Sequence, residues 1–122
     1  MKLIHTADLH LDSAMEAKLT LEKARLRRKE LLLQLGSIAE LAEQNRAEVV
    51  LLAGDVFDSD HPAGTAVRYL LDTVSAHPRI DFLMLYGNHA GDFRLAGELP
   101  ANLRFFGEHE YTPYRYGNVA VY

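Results

Sequence analysis

Three short, largely apolar segments of this chain each end in residues of the types that bind metal ions. Asp8 and His10 follow segment 3–7, Asp55 follows segment 49–53, and Asn88 and His89 follow segment 80–86. If these segments are neighbouring parallel strands, the three junctions lie along one edge of one sheet, which is where ligands bind in open α/β sheets. The sequence therefore predicts a metal site at that edge.

Two helical patterns separate the three segments. Apolar residues at spacings of four, three and four predict a helix over residues 21–45, with a buried stripe formed by Leu31, Leu35, Ile38 and Ala42. A second helix is predicted over residues 66–76, and Pro78 closes it.

The apolar segments themselves are predicted to be strands over residues 2–7, 48–53 and 80–86. In the second of these strands the run Val-Val-Leu-Leu-Ala has no alternation, so we expect it to be buried on both faces. The third is again continuously apolar. The resulting order β-α-β-α-β predicts an α/β fold with a largely parallel sheet and right-handed crossovers.

The C-terminal third has shorter elements. Residues 87–100 are predicted to be a loop, residues 102–106 a fourth strand, and residues 111–122 a hairpin with its turn at 116–118. The last four residues look like a strand that lacks a neighbour. We therefore expect residues 1–122 to be the N-terminal part of a longer domain.

Composition limits the ligands that such a metal site can have and the cellular compartment in which the protein is expected. The chain has 122 residues, enough for one domain with a core, and contains no cysteine, which excludes thiolate ligands. Oxygen and imidazole ligands favour Mn²⁺, Mg²⁺, Fe²⁺ or Zn²⁺. The N-terminus turns polar too early for a signal peptide, and no apolar run reaches membrane-spanning length. We therefore expect a cytoplasmic protein without a membrane partner.

The charge of the chain bears on whether its substrate is a nucleic acid. The net charge is −4, whereas domains that bind nucleic acid by their field alone are usually basic. A nucleic-acid substrate would therefore require bound metal ions or a partner subunit to offset repulsion. The first half of the 21–45 helix carries Arg25, Arg27, Arg28 and Lys29, which form either a solvated face or a contact surface for phosphates or a partner.

The candidate ligands are ordinary residues individually but a specific pattern together. On an extended backbone, Asp8 and His10 would point to the same side and hold one ion. Gly54 allows a sharp turn before Asp55. Asn88 offers a neutral carbonyl oxygen, and His89 can act as a ligand or a general acid. Each motif alone also fits common turn chemistry, but three consecutive strands with such ends rarely arise by chance.

Other polar residues have weaker signals. Asp58 lies three positions after Asp55 and either orients a nearby histidine or caps a turn. His5 lies within the first predicted strand and is expected in the core. The remaining histidines have no other metal-ligand residues at a suitable spacing in the sequence; they are His61, His77 and His109.

Three stretches of this sequence resemble motifs of the calcineurin-like metallophosphoesterases. They read Ile-His-Thr-Ala-Asp-Leu-His-Leu-Asp from residue 4, Ala-Gly-Asp-Val-Phe-Asp-Ser from residue 53, and Tyr-Gly-Asn-His from residue 86. Within that superfamily the first two stretches are most similar to the DNA-repair exonuclease branch, the SbcD type. The resemblance covers the first half of the family's catalytic domain. It implies a four-layer α/β/β/α sandwich when that domain is complete.

The resemblance also implies a centre of two divalent ions, usually Mn²⁺. Asp8 and His10 would hold the first ion, Asn88 the second, and Asp55 would bridge both. A water acidified by the two ions would attack phosphorus in line. His89 would protonate the leaving oxygen or stabilise the transition state, and Asp58 would orient His89.

Two departures from the family pattern stand out. Ala90 replaces the acid that usually follows Gly-Asn-His, and Asp92 is a candidate substitute. The family's C-terminal motifs supply three further histidine ligands, which these 122 residues do not contain. We therefore expect the isolated chain to bind metal weakly and to hydrolyse little.

Three functions remain open at this point. The first is a metal-dependent phosphodiesterase in DNA repair, an exonuclease or endonuclease subunit acting on DNA ends. The resemblance implies an ATPase partner subunit of the SbcC type and allows a homodimer. The second is a phosphatase or phosphodiesterase for nucleotides or other small molecules. The third is a non-catalytic binding module on the same fold.

Overall fold

The computed structural model describes residues 1–14, 19–59, 61–85, 95, 97–107 and 109–122. Within these residues the elements follow the predicted order: β1 (Leu3–Thr6), α1 (Leu21–Gln44), β2 (Val49–Ala53), α2 (Gly64–Ala76), β3 (Asp81–Leu85), β4 (Leu103–Phe105), β5 (Tyr114–Tyr116) and β6 (Val119–Val121). The largest shift from prediction among the helices is in α2, which begins two residues early.

Strands β1 to β4 form one parallel sheet in the order β1-β2-β3-β4, and β5 and β6 form an antiparallel hairpin. Thr6 lies opposite Leu52, and Ala53 lies opposite Leu85, so the first three strands end at the same edge. The predicted α/β class, with a parallel sheet and a C-terminal hairpin, is confirmed.

One face of the sheet packs against the helices. Val50, Leu52, Phe82 and Met84 on this face are at most 1% exposed. Leu35, from the predicted stripe of α1, is fully buried in the same core. Burial of each such side chain stabilises the fold by roughly 1.5–3 kcal/mol. This core fixes the strand register and therefore the edge at which the strands end.

The opposite face of the sheet is only partly covered. The hairpin packs over it, because the Tyr116 hydroxyl donates to Asp81 Oδ2 at 2.6 Å and Arg104 lies 5.7 Å from the Tyr114 ring centroid. Burial of the phenol, together with the hydrogen bond to Asp81, raises the pKa of Tyr116 above its usual range.

Every residue of β2 is buried or partly buried, in agreement with the prediction for this strand. At the end of β3, by contrast, Leu85 is 41% exposed. The prediction that His5 lies in the core is wrong. In β1, at the sheet edge, Ile4 packs on the helix side, so the alternation of a strand directs His5 to the open face.

Helix α1 begins at a side-chain cap, since Lys23 N donates to Thr20 Oγ1 at 3.3 Å. It ends at Asn45, whose amide side chain donates to Leu41 O at 2.8 Å. Across the described ranges of the chain, no helix is long and apolar enough to cross a membrane.

Candidate metal centre

The loops that follow β1 and β2 run side by side at the carboxyl edge of the sheet. Asp8 N donates to Gly54 O at 3.2 Å, His10 N donates to Asp55 O at 2.9 Å, and Leu11 N donates to Val56 O at 2.8 Å. These backbone hydrogen bonds join residues more than forty positions apart in the sequence. They bring the predicted ligand positions of the two loops next to each other.

Three of the predicted site residues form one cluster. Asp8, His10 and Asp55 each offer a donor atom, and these atoms lie within 4.8 Å of one another. Two carboxylates and an imidazole suit hard or borderline divalent cations, including Mn²⁺ and Mg²⁺. Since Mg²⁺ and related ions prefer six ligands, three protein donors leave positions for water, substrate or further side chains.

The backbone at the cluster is in an uncommon conformation. Asp8, His10 and Asp55 have φ angles of 55°, 46° and 48°. Left-handed backbone is unfavourable for residues other than glycine, by roughly 1–2 kcal/mol each. Gly54, with φ 88°, provides the sharp turn that the sequence predicted. The side chains of Asp8 and His10 do converge, but through left-handed backbone rather than through the extended backbone that we expected.

Asp55 carries the clearest sign of a cation site. Its Oδ1 atom is buried and has no hydrogen-bond partner among the described residues. An unpaired buried carboxylate oxygen is costly, because it loses its water without gaining a donor. A cation held between Asp55, Asp8 and His10 would satisfy this atom, so these residues fit a divalent metal.

His10 is oriented by a carboxylate on its far side. Its Nδ1 lies 2.9 Å from Asp58 Oδ1, while its Nε2 lies 3.9 Å from Asp8 Oδ1. When Asp58 accepts the Nδ1 proton, the Nε2 lone pair faces the cluster. Metal-binding histidines commonly have this carboxylate partner, which fixes the tautomer of the ring.

The sequence predicted a different partner for Asp58. We expected Asp58 to orient His89, but His89, like Asn88, Ala90 and Asp92, lies outside the described residues. The roles predicted for Asn88 and His89 therefore stay predictions. The contact between Asp58 and His10 was missed, because their spacing of 48 positions gives no local signal.

Sequence reasoning also missed Asp12 as a site residue. Its carboxylate accepts hydrogen bonds from Asp58 and Ser59 in the loop after β2. The signal was present in the alternation Asp8-Leu9-His10-Leu11-Asp12, in which the two leucines are buried and the polar residues lie between them.

Comparison with known proteins agrees with this geometry. Residues 1–120 match the calcineurin-like phosphoesterase family. The chain is 32% identical over 98 residues to a protein of Staphylococcus epidermidis that is described as a subunit of the nuclease SbcCD. That match covers 78% of this chain and 24% of the relative, so the chain spans about a quarter of the relative's length. The chain belongs to the calcineurin-like phosphoesterase family.

Proposed function

We propose that this chain supplies the first ligands of the metal centre of a phosphodiesterase that hydrolyses DNA from its ends. The observation that carries the proposal is the buried Asp55 Oδ1, which lacks a described partner and belongs to a cluster with Asp8 and His10. The cluster lies at the carboxyl edge of a parallel sheet, where open α/β folds bind ligands.

Each residue has a proposed task in this reaction. Asp8 and His10 Nε2 would hold one divalent cation, Asn88 a second, and Asp55 would contribute to both. When bound, such a pair of cations acidifies a water and neutralises charge on the phosphoryl oxygens. His89 would donate a proton to the leaving oxygen.

Asp58 is proposed to act on two histidines. Its Oδ1 accepts from His10 Nδ1 at 2.9 Å. We propose that its Oδ2 orients His89, as the family resemblance implies. The carboxylate would then link a metal ligand to the proton donor.

Manganese is the proposed cation, because the donor set is rich in carboxylate oxygen and contains an imidazole. Mg²⁺, Fe²⁺ and Zn²⁺ are the alternatives. We also propose that the protein works in the cytoplasm in DNA repair with a second, ATP-hydrolysing subunit. The support is the relative, whose name describes it as one subunit of the nuclease SbcCD.

The first half of α1 is proposed to help bind the DNA backbone. Lys23, Arg25 and Lys29 are exposed. Arg27 pairs with Glu30 at 2.9 Å, and Glu30 lines the same groove as Asp8. This pair places Arg27 next to a residue of that groove, and we propose that it and the exposed basic side chains of this helix half would offset the net charge of −4.

Calorimetric titration with Mn²⁺ tests the metal centre. We expect wild-type chain to bind Mn²⁺ and Asp55→Asn to bind at least about tenfold more weakly, since the amide removes the charge without changing the shape. Asp72→Asn is the matched control, because Asp72 is an exposed carboxylate on α2 that faces Arg68 at 3.7 Å. Equal affinity in wild type and Asp55→Asn would contradict the proposal.

A small-molecule phosphoesterase is the second candidate, and the acidic net charge favours it. Fluorescence anisotropy of a labelled DNA duplex in the presence of Mn²⁺ distinguishes the DNA function from the small-molecule function. The DNA function predicts Mn²⁺-dependent binding that unlabelled duplex displaces and that Arg25→Ala weakens. Displacement at equal concentration by a nucleoside monophosphate would instead favour the small-molecule function. Absence of Mn²⁺ binding even in a form extended through the family's C-terminal histidine motifs would favour the non-catalytic module.

A further inference from the structure

Asp12 makes an unusual set of contacts for a residue outside the metal cluster. One of its carboxylate oxygens accepts from the backbone N–H of Asp58. The other accepts from the backbone N–H of Ser59 at 3.2 Å and from its hydroxyl at 2.8 Å. Hydrogen bonds to an ionised carboxylate are about twice as strong as neutral ones. Asp12 therefore holds two consecutive residues of the opposite loop.

These contacts continue the connection between the two loops. One of the backbone hydrogen bonds that join the loops connects Leu11 and Val56. Beyond that pair, Asp12 provides the next contact, to Asp58 and Ser59. Both of these residues are exposed, although Phe57 just before them is buried. Asp12 therefore holds the exposed end of this segment, including the backbone N–H of Asp58.

The buried residues on either side explain why Asp12 reaches this position. Leu9 and Leu11 are 4% and 2% exposed, and Val56 is 1% exposed. These apolar side chains belong to the core, whereas Asp8, His10 and Asp12 lie close to side chains of the loop after β2.

We propose that Asp12 is a positioning residue for the metal centre and acts through Asp58 on His10. By holding the Asp58 backbone, Asp12 places the Asp58 carboxylate 2.9 Å from His10 Nδ1. This contact keeps the proton on Nδ1 and leaves Nε2 free for a cation. The effect on metal affinity rests on the proposed function, whereas the effect on the His10 tautomer does not.

Two simpler roles make different predictions. If Asp12 were a further metal ligand, its oxygens would be free to face the cluster, but both already accept N–H or O–H donors from Asp58 and Ser59. If Asp12 only tied the loops together, its loss would lower stability without changing the ring tautomer of His10.

The first test reads the His10 ring directly in metal-free protein. Imidazole ¹⁵N spectra, recorded well above the usual pKa of histidine, distinguish a proton on Nδ1 from a proton on Nε2. We expect the Nδ1–H form in wild type and a shift toward Nε2–H in Asp12→Ala. Ser59→Ala, which removes the hydroxyl but keeps both backbone donors, should retain the wild-type tautomer. A folded Asp12→Ala protein with the wild-type tautomer would overturn the proposal.

Asp12→Asn covers the case in which Asp12→Ala fails to fold. The amide keeps the volume of the side chain and one acceptor oxygen, so it should support the loop while holding Asp58 less firmly. We expect a partial shift of the His10 tautomer in this variant. If Asp12→Ala does not fold and Asp12→Asn leaves the tautomer unchanged, the positioning role is rejected.

The second test is a double-mutant cycle on Mn²⁺ affinity. Removing a carboxylate that supports a metal-binding histidine typically weakens binding by about tenfold or more. We expect Asp12→Ala and Asp58→Ala each to weaken Mn²⁺ binding, and the double variant to be no weaker than Asp58→Ala alone. Independent, multiplicative losses would show that Asp12 does not act through Asp58. If neither wild type nor a form extended through the family's C-terminal histidine motifs binds Mn²⁺, the proposed function fails, and the tautomer spectra still decide the role of Asp12.

Discussion

The two ends of the sheet each hold a histidine beside a carboxylate, yet the two pairs have different surroundings. At the carboxyl edge, His10 Nδ1 lies 2.9 Å from Asp58. At the amino edge, His77 Nδ1 lies 3.0 Å from Glu43 Oε1, but the two atoms do not meet hydrogen-bond geometry. The distance between ring and carboxylate is therefore nearly the same at both ends and cannot by itself identify a functional site.

The two histidine pairs differ in the surroundings of the histidine and in its backbone conformation. His10 Nε2 faces the carboxylates of Asp8 and Asp55, and all three residues have left-handed backbone. His77 has an ordinary φ of −121°, and its carbonyl accepts a hydrogen bond from Asn102. At the carboxyl edge the left-handed backbone thus occurs at the residues whose acceptors converge, whereas at the amino edge a side-chain amide satisfies the backbone of the histidine.

The largest expected effect on stability lies at the amino edge. Asn102 Nδ2 donates to Val74 O, His77 O and Ile80 O at 2.8–3.1 Å. Asn102→Ala should lower the free energy of unfolding by about 1–3 kcal/mol, because it removes three part-buried hydrogen bonds. Val74 O and His77 O keep the backbone donors His77 N and Ile80 N. Urea denaturation measures the loss, and calorimetry should show unchanged Mn²⁺ affinity. A loss of Mn²⁺ binding in the folded variant would break the distinction between the two edges.

Metal addition should stabilise the protein through the carboxyl edge alone. At a free Mn²⁺ concentration about tenfold above the dissociation constant, linkage predicts about 1.4 kcal/mol of added stability. A chelator should reverse the shift in the thermal midpoint. Glu43→Gln should retain the stabilisation and Asp55→Asn should lose it; stabilisation of both variants to the same extent would place the metal elsewhere.

A smaller effect on stability is expected from a matched pair of variants at two residues with left-handed backbone. Asp8 at the carboxyl edge and Arg46 at the amino edge have nearly equal φ angles, 55° and 54°, and both are exposed. Replacing either by glycine should raise the stability of the metal-free protein by about 0.5–1 kcal/mol, because glycine tolerates this conformation. Calorimetry should show weakened Mn²⁺ binding only in Asp8→Gly. Equal Mn²⁺ affinity in the two variants would remove Asp8 from the site.

The smallest effect is expected at the His77 pair. Glu43 is half-exposed, and its contact with His77 lacks hydrogen-bond geometry. Glu43→Gln should therefore change the free energy of unfolding by less than about 1 kcal/mol, the range of exposed ion pairs. A larger loss in urea denaturation would mean that the amino-edge pair is stronger than its geometry indicates.

The sequence was sufficient to predict the sheet and the cluster because both follow from local patterns. Apolar segments separated by helical periodicity predict parallel strands, and parallel strands end at one edge. Asp8, His10 and Asp55 lie just beyond those ends, so their proximity follows from the topology alone. The same strand-end pattern predicts Asn88 and His89, which lie outside the described residues.

The features of the site that the sequence did not predict depend on contacts between residues that are far apart in the chain. The hydrogen bond from His10 to the Asp58 carboxylate and the one from the Asp58 backbone to Asp12 each span more than forty positions, and no local pattern encodes them. The left-handed backbone at Asp8 and His10 arises where the loop pairs with residues 54–56. The exposure of His5 depends on β1 lying at the sheet edge, which the sequence order of the strands does not reveal.

The most direct test compares the two histidines in one experiment. Imidazole spectra of His10 and His77 can be recorded during titration with Mn²⁺, which is paramagnetic and broadens the signals of nearby nuclei. A metal centre at the carboxyl edge predicts that the His10 signals disappear at the lowest Mn²⁺ concentrations while those of His77 remain sharp. Broadening of both rings at the same concentration would show that Mn²⁺ does not distinguish the two pairs and would contradict the assignment of the metal centre.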